Sequence, residues 1–124
     1  MKSYGKELIL DLHGCDVSKF TRQDIAGYFV ELCELIDMQR CEMHFWDDEG
    51  VADEDKQTSP HTTGISAIQF ILTSNITIHT LTKLGCVYIN IFSCKDFDDR
   101  DAINFSKEWF GCKDVAQMTV IDRL

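Results

Sequence analysis

From Gly64 to Cys94 the chain reads GISAIQFILTSNITIHTLTKLGCVYINIFSC. This stretch constrains the fold more than any other, because it parses as three successive β-strands. Ile65–Thr73 and Cys86–Ser93 are long apolar runs. Between them, Ile76–Leu81 sets Ile76, Ile78 and Thr80 against Thr77, His79 and Leu81, the two-residue period of a strand. Four groups able to do chemistry lie within this apolar block: Ser66, Ser74, His79 and Cys94. Ser74 falls where the first two strands join, and a tight Ser-Asn connection there can hold the backbone in an unusual conformation.

The flanking segments supply the rest of one domain, residues 1–124. Glu7–Leu12 alternates as a strand and ends at Gly14-Cys15-Asp16. Thr21 followed by Asp24 resembles a capping box and opens a helix to about Asp37, with Ile25, Tyr28, Phe29, Leu32, Leu35 and Ile36 on one face. Cys41–Trp46 is a second strand. The acidic segment 47–63 contains the only proline, Pro60, and is expected to be a mobile, solvated loop. Asp98 or Asp99 caps a helix to about Phe110, Gly111 stops it, and Val115–Ile121 is the last strand. The order β-α-β-β-β-β-α-β with short links predicts an α+β, two-layer sandwich: an antiparallel sheet with two helices on one face. Such a sheet should show one polar face. Tyr88 and Phe92 oppose Val87, Ile89 and Ile91, so both faces are apolar and the uncovered one is expected to pair with a second copy in a homodimer.

Charge and composition narrow the partners. A net charge of −9 argues against nucleic acid and anionic membrane. No apolar run is long enough to cross a bilayer and Met1–Gly5 is not a signal peptide, so a cytoplasmic protein is expected. The six cysteines include no C-x-x-C pair and are expected to be free thiols. His13, His44 and His61 lack metal-ligand spacing, so no metal site is expected.

Thr73-Ser74-Asn75-Ile76-Thr77-Ile78-His79-Thr80, with Cys94 closing the next strand, resembles the prokaryotic S-adenosylmethionine decarboxylases. Their hallmark is Glu-Ser-His-Leu-Thr-Ile-His-Thr followed by a strand ending in cysteine. Met1-Lys2-Ser3, Gly5 and Cys15-Asp16 are similar to the family as well. The resemblance implies self-processing between Thr73 and Ser74. The serine hydroxyl attacks the preceding carbonyl, the amide becomes an ester, and elimination splits the chain. The residue left behind loses ammonia to become a pyruvoyl cofactor. That ketone takes up a substrate amine and withdraws electrons as carbon dioxide leaves. By the same resemblance Ser74, His79 and Cys94 are the catalytic residues, with His79 handling protons in processing and Cys94 the general acid of turnover. Ser66 positions the proton-handling group and the ester, and the site lies near a dimer interface.

Read without the resemblance, a lone serine at a strand junction is a turn residue, His79 on an apolar strand is a satisfied core histidine, and Cys94 is an inert thiol. The chain also departs from the family pattern. Thr73 stands where glutamate precedes the serine, Asn75 where histidine follows it, and Asn90 where an aspartate is expected. Leu81-Thr82-Lys83 replaces Trp-Pro-Glu, whose glutamate helps hold the substrate ribose, so Lys83 is the substrate-binding position most altered. Three readings stay open. The first is an S-adenosylmethionine decarboxylase supplying the aminopropyl donor for spermidine. The second is a pyruvoyl decarboxylase of another amino acid such as arginine or ornithine. The third is an unprocessed, non-enzymatic relative.

Overall fold

The computed structural model describes residues 2–124, so Met1 of the N-terminal match lies outside them. The strands are β1 (Gly5–His13), β2 (Arg40–Trp46), β3 (Gly64–Ile71), β4 (Ser74–Leu81), β5 (Cys86–Ser93) and β6 (Asp114–Arg123). The helices are α1 (Arg22–Leu35) and α2 (Asp99–Trp109). One six-stranded sheet, in the order β2-β3-β4-β5-β1-β6, pairs every neighbour antiparallel. The expected two-layer α+β sandwich is the observed fold.

Its core lies on the helix side of the sheet. Leu8, Leu10 and Leu12 of β1, Ile76 and Ile78 of β4, and Val87, Ile89 and Ile91 of β5 are fully buried there. Ile25, Tyr28, Phe29 and Leu32 of α1, with Ala102 of α2 and Phe110 just beyond it, close the layer from above. Each aliphatic side chain so buried contributes about 1.5–3 kcal/mol before chain entropy is counted. The Tyr28 hydroxyl meets Ser106 Oγ at 2.7 Å, Ser106 in turn donates to the Ala102 carbonyl at 2.7 Å, and Trp109 Nε1 donates to the Asp24 carbonyl at 3.0 Å, so these polar groups between the helices are satisfied. Gln69, fully buried on β3, donates to the Cys41, Glu42 and Phe70 carbonyls where β2 shifts register.

Both helix starts are as expected: Thr21 accepts from the Asp24 N–H, and Asp98 from the Asp101 N–H. Three local expectations change. Leu35 is exposed, because the inner face of α1 runs through Leu32, Cys33 and Ile36. The connection between β3 and β4 is the two-residue turn Leu72-Thr73, not Ser74-Asn75, since Ile71 pairs directly with Ser74. Cys15 and Cys112 form a disulfide, against the expectation of six free thiols. Gly14 and Gly111, both at positive φ, turn the ends of β1 and α2 onto each other, where Asp16 N–H donates to the Phe110 carbonyl. A sequence separation of 97 residues gives no spacing cue for that meeting.

Candidate active site

Ser74 opens β4 with its side chain turned toward the core layer and 7% exposed. The residue before it, Thr73, is in the left-handed region at φ +56. A β-branched residue is rarely held there, and such a conformation costs on the order of 1–3 kcal/mol. The Thr73–Ser74 peptide is therefore strained on its acyl side and carries a nucleophile on its amine side. Cys94, just past β5, touches both residues. Its backbone N–H donates to Ser74 Oγ at 3.0 Å, and its Sγ lies 3.1 Å from Thr73 Oγ1. Strand β1 backs directly on this corner: a Cβ on Gly5 would sit 2.1 Å from the Ser93 carbonyl oxygen and 2.7 Å from Cys94 Cα. A hollow of about 420 Å³, lined in part by Leu72, Thr73, Cys94 and Lys95, opens beside the bond.

The Thr73 hydroxyl, then that of Ser74, hold the Cys94 thiol below its ordinary pKa; partial burial opposes them and Tyr4 adds to them. Alkylation of Cys94 in the uncut chain should therefore begin at lower pH than for an unperturbed cysteine. Thr73→Val removes the leading cause and should move the onset upward, read by peptide mass spectrometry across a pH series. An unchanged onset would separate the thiol from Thr73.

Ser66 and His79 form the second cluster. They are directly paired across β3 and β4, and Ser66 Oγ lies 2.7 Å from His79 Nδ1, which fixes the imidazole plane. Within one chain this pair does not reach Ser74. Five residues of strand span about 17 Å, and an odd separation puts the side chains on opposite faces of the sheet. Ser74 looks toward the helices; His79 is exposed on the open face.

A cavity of about 520 Å³ stands over Ser66 and His79. Its wall is the acidic segment expected to be a solvated loop. Arg22 grips Asp47 through two bonds of 2.6 Å, and Asp48 Oδ2 accepts from the Gln57 N–H at 2.7 Å. Lys83 Nζ donates to the Thr58 carbonyl at 2.5 Å and is not among the residues lining the cavity. The lysine that replaces the expected ribose acceptor is thus a strut for the loop. Asn90 likewise faces Glu7, donating to its carboxylate at 3.0 Å. Residues that sequence reasoning passed over line the cavity: Trp46, Asp48, Gln57, His61 and Tyr88. Trp46, the last residue of the expected strand Cys41–Trp46, is 84% exposed at the sheet edge. An aromatic at the end of an edge strand, next to two aspartates, was the available signal.

The S-adenosylmethionine decarboxylase family model matches residues 6–124. The chain belongs to the S-adenosylmethionine decarboxylase family. Family relatives named S-adenosylmethionine decarboxylase proenzyme include one from Acidithiobacillus ferrooxidans, 28% identical over 95% of this chain and 81% of its own. Another, from Clostridium botulinum, is 31% identical over 87% of this chain and 84% of its own. The crystal structure of the adenosylmethionine decarboxylase from Aquifex aeolicus shares the family fold. It has a TM-score of 0.78 at 18% identity and covers 99% of this chain and 92% of that one. No helix among the described residues is long and apolar enough to cross a membrane.

Proposed function

We propose that this chain is a self-cleaving decarboxylase of S-adenosylmethionine, acting in the cytoplasm and supplying the aminopropyl donor for spermidine. The observation that carries the reading is the corner at Thr73, Ser74 and Cys94: a strained peptide, a hydroxyl beside it, and one residue bonded to both sides. Attack of Ser74 Oγ on the Thr73 carbonyl carbon breaks the peptide C–N bond and relieves the left-handed turn. Cleavage there suits the architecture. The cut falls in a two-residue turn, while β3 stays paired with β2 and β4 with β5, so both pieces remain in the sheet. Ser74 would then become a pyruvoyl group, which supplies an electron sink for an amine substrate losing its carboxylate.

The site needs a second copy. Ser66 and His79 present their pair on the open face, away from Ser74 of the same chain, and that face also carries Ile68, Tyr88 and Phe92, with Phe70 43% exposed. Pairing two copies face to face about a two-fold axis buries these groups and offers the Ser66–His79 pair of one chain to the Thr73–Ser74 peptide of the other, from the side of Thr73 and Cys94. We therefore assign Ser74 as nucleophile and cofactor precursor, Ser66 and His79 as the proton-handling pair of processing, and Cys94 as general acid.

Loss of the family glutamate at position 83 favours a different amino acid as substrate; attachment of Lys83 to the Thr58 carbonyl keeps its charge out of the cavity lining, so it does not repel a cationic substrate there. The test is intact mass of purified protein. Fragments 1–73 and 74–124 are expected, the second beginning with a pyruvoyl group and decarboxylating S-adenosylmethionine in preference to arginine, ornithine or lysine. A single uncut species after prolonged incubation would overturn the proposal.

A further inference from the structure

The cavity above Ser66 and His79 carries one fixed charge that the protein does not neutralise. Two aspartates line it, and they differ. Asp47 is held by the Arg22 guanidinium, its side chain 6% exposed. Asp48 is anchored only by the Gln57 N–H; among the described residues no Lys, Arg or His nitrogen comes within 4.0 Å of its carboxylate. The nearby Lys83 is turned to the Thr58 carbonyl instead. Glu42, another acidic residue of the region, is outside the lining and pairs with His44 at 3.1 Å.

Two aromatic side chains share the lining with Asp48. Trp46, 84% exposed, and Tyr88 both line the same space. A carboxylate and aromatic rings lining one cavity can both attract positive charge, the first by Coulomb attraction and the second through the ring quadrupole. A volume of about 520 Å³ holds a nucleoside-sized molecule. We propose that Asp48 is the specificity-determining carboxylate of this cavity, through which it selects a nucleoside carrying a cationic sulfonium over its uncharged counterpart. This rests on the S-adenosylmethionine reading above and deepens it. The acidic segment thereby becomes a wall of the binding site, with Arg22 and Lys83 as its fastenings.

The experiment separates charge recognition from processing and from folding. In Ser74→Ala protein the chain stays whole and turnover is blocked, so equilibrium binding is measured by calorimetry. The two probes are S-adenosylmethionine and its neutral thioether analogue lacking the S-methyl group. Asp48→Asn is made in the same background, because an amide oxygen still accepts from the Gln57 N–H. The variant is expected to bind the sulfonium at least about tenfold more weakly and the thioether within about twofold of the parent. Equal weakening of both ligands would make Asp48 a structural group and overturn the proposal. Unchanged sulfonium binding in the variant, or no sulfonium binding by the Asp48-intact parent, would also overturn it. Self-cleavage of the wild-type chain is scored independently by mass, so an uncut wild type sinks the activity reading without touching this result.

Discussion

Chains carrying His79→Ala and chains carrying Ser74→Ala, each unable to mature efficiently alone, should restore cleavage when co-assembled, and only the His79→Ala chain should be cut. The first half follows from chemistry. Ser74→Ala has no nucleophile, and loss of a positioned proton-handling group slows a step by about 10²–10⁴. The second half follows from geometry. His79 and Ser74 lie about 17 Å apart on opposite faces of one sheet, so they do not meet within one chain, and the proposed site joins them across two. A mixed dimer then holds one site with both groups intact, built from Ser74 of the His79→Ala chain and His79 of its companion. With equal amounts and random pairing, roughly half of the His79→Ala chains sit in such dimers. Intact mass of differently tagged chains reads the result. If wild type cleaves and the mixture does not, the shared site is wrong. If His79→Ala alone cleaves at the wild-type rate, His79 has no part in processing.

Cys94→Ala should separate maturation from turnover. Cys94 reaches Ser74 Oγ through its backbone N–H, which alanine keeps, so fragments 1–73 and 74–124 should still form. The thiol itself faces the Thr73 hydroxyl and is held by that of Ser74 as well; the substitution removes both side-chain interactions while sparing the backbone N–H bond to Ser74 Oγ. Removing a general acid should lower carbon dioxide release by about 10²–10⁴. Cys94→Ser keeps a weaker acid and should fall between the two. Uncut Cys94→Ala protein would move the sulfur into the processing step, while wild-type turnover would take it out of the mechanism.

The central strands and their neighbours were legible because their signals are local. Alternation in β4, the caps at Thr21 and Asp98, and Gly111 at the end of α2 each follow from a few adjacent residues. Ser66, Ser74, His79 and Cys94 stand out as a set because they lie in one apolar block and match the family pattern. Locally, however, serine and asparagine look like turn residues, which places the turn two residues late. Only the pairing of Ile71 with Ser74 decides that Thr73 takes the strain.

What tertiary structure alone decided is long-range. The insertion of β1 between β5 and β6 puts Gly5 against Cys94, and nothing in residues 5–13 names those partners. The meeting of Cys15 with Cys112 and the fastening of the acidic segment by Arg22 and Lys83 are of the same kind. An odd spacing from Ser74 to His79 was countable from the start, but its consequence appears only when both faces of the sheet are known. Side-chain period is a property of a strand by itself; which face is covered, and by what, belongs to the whole fold.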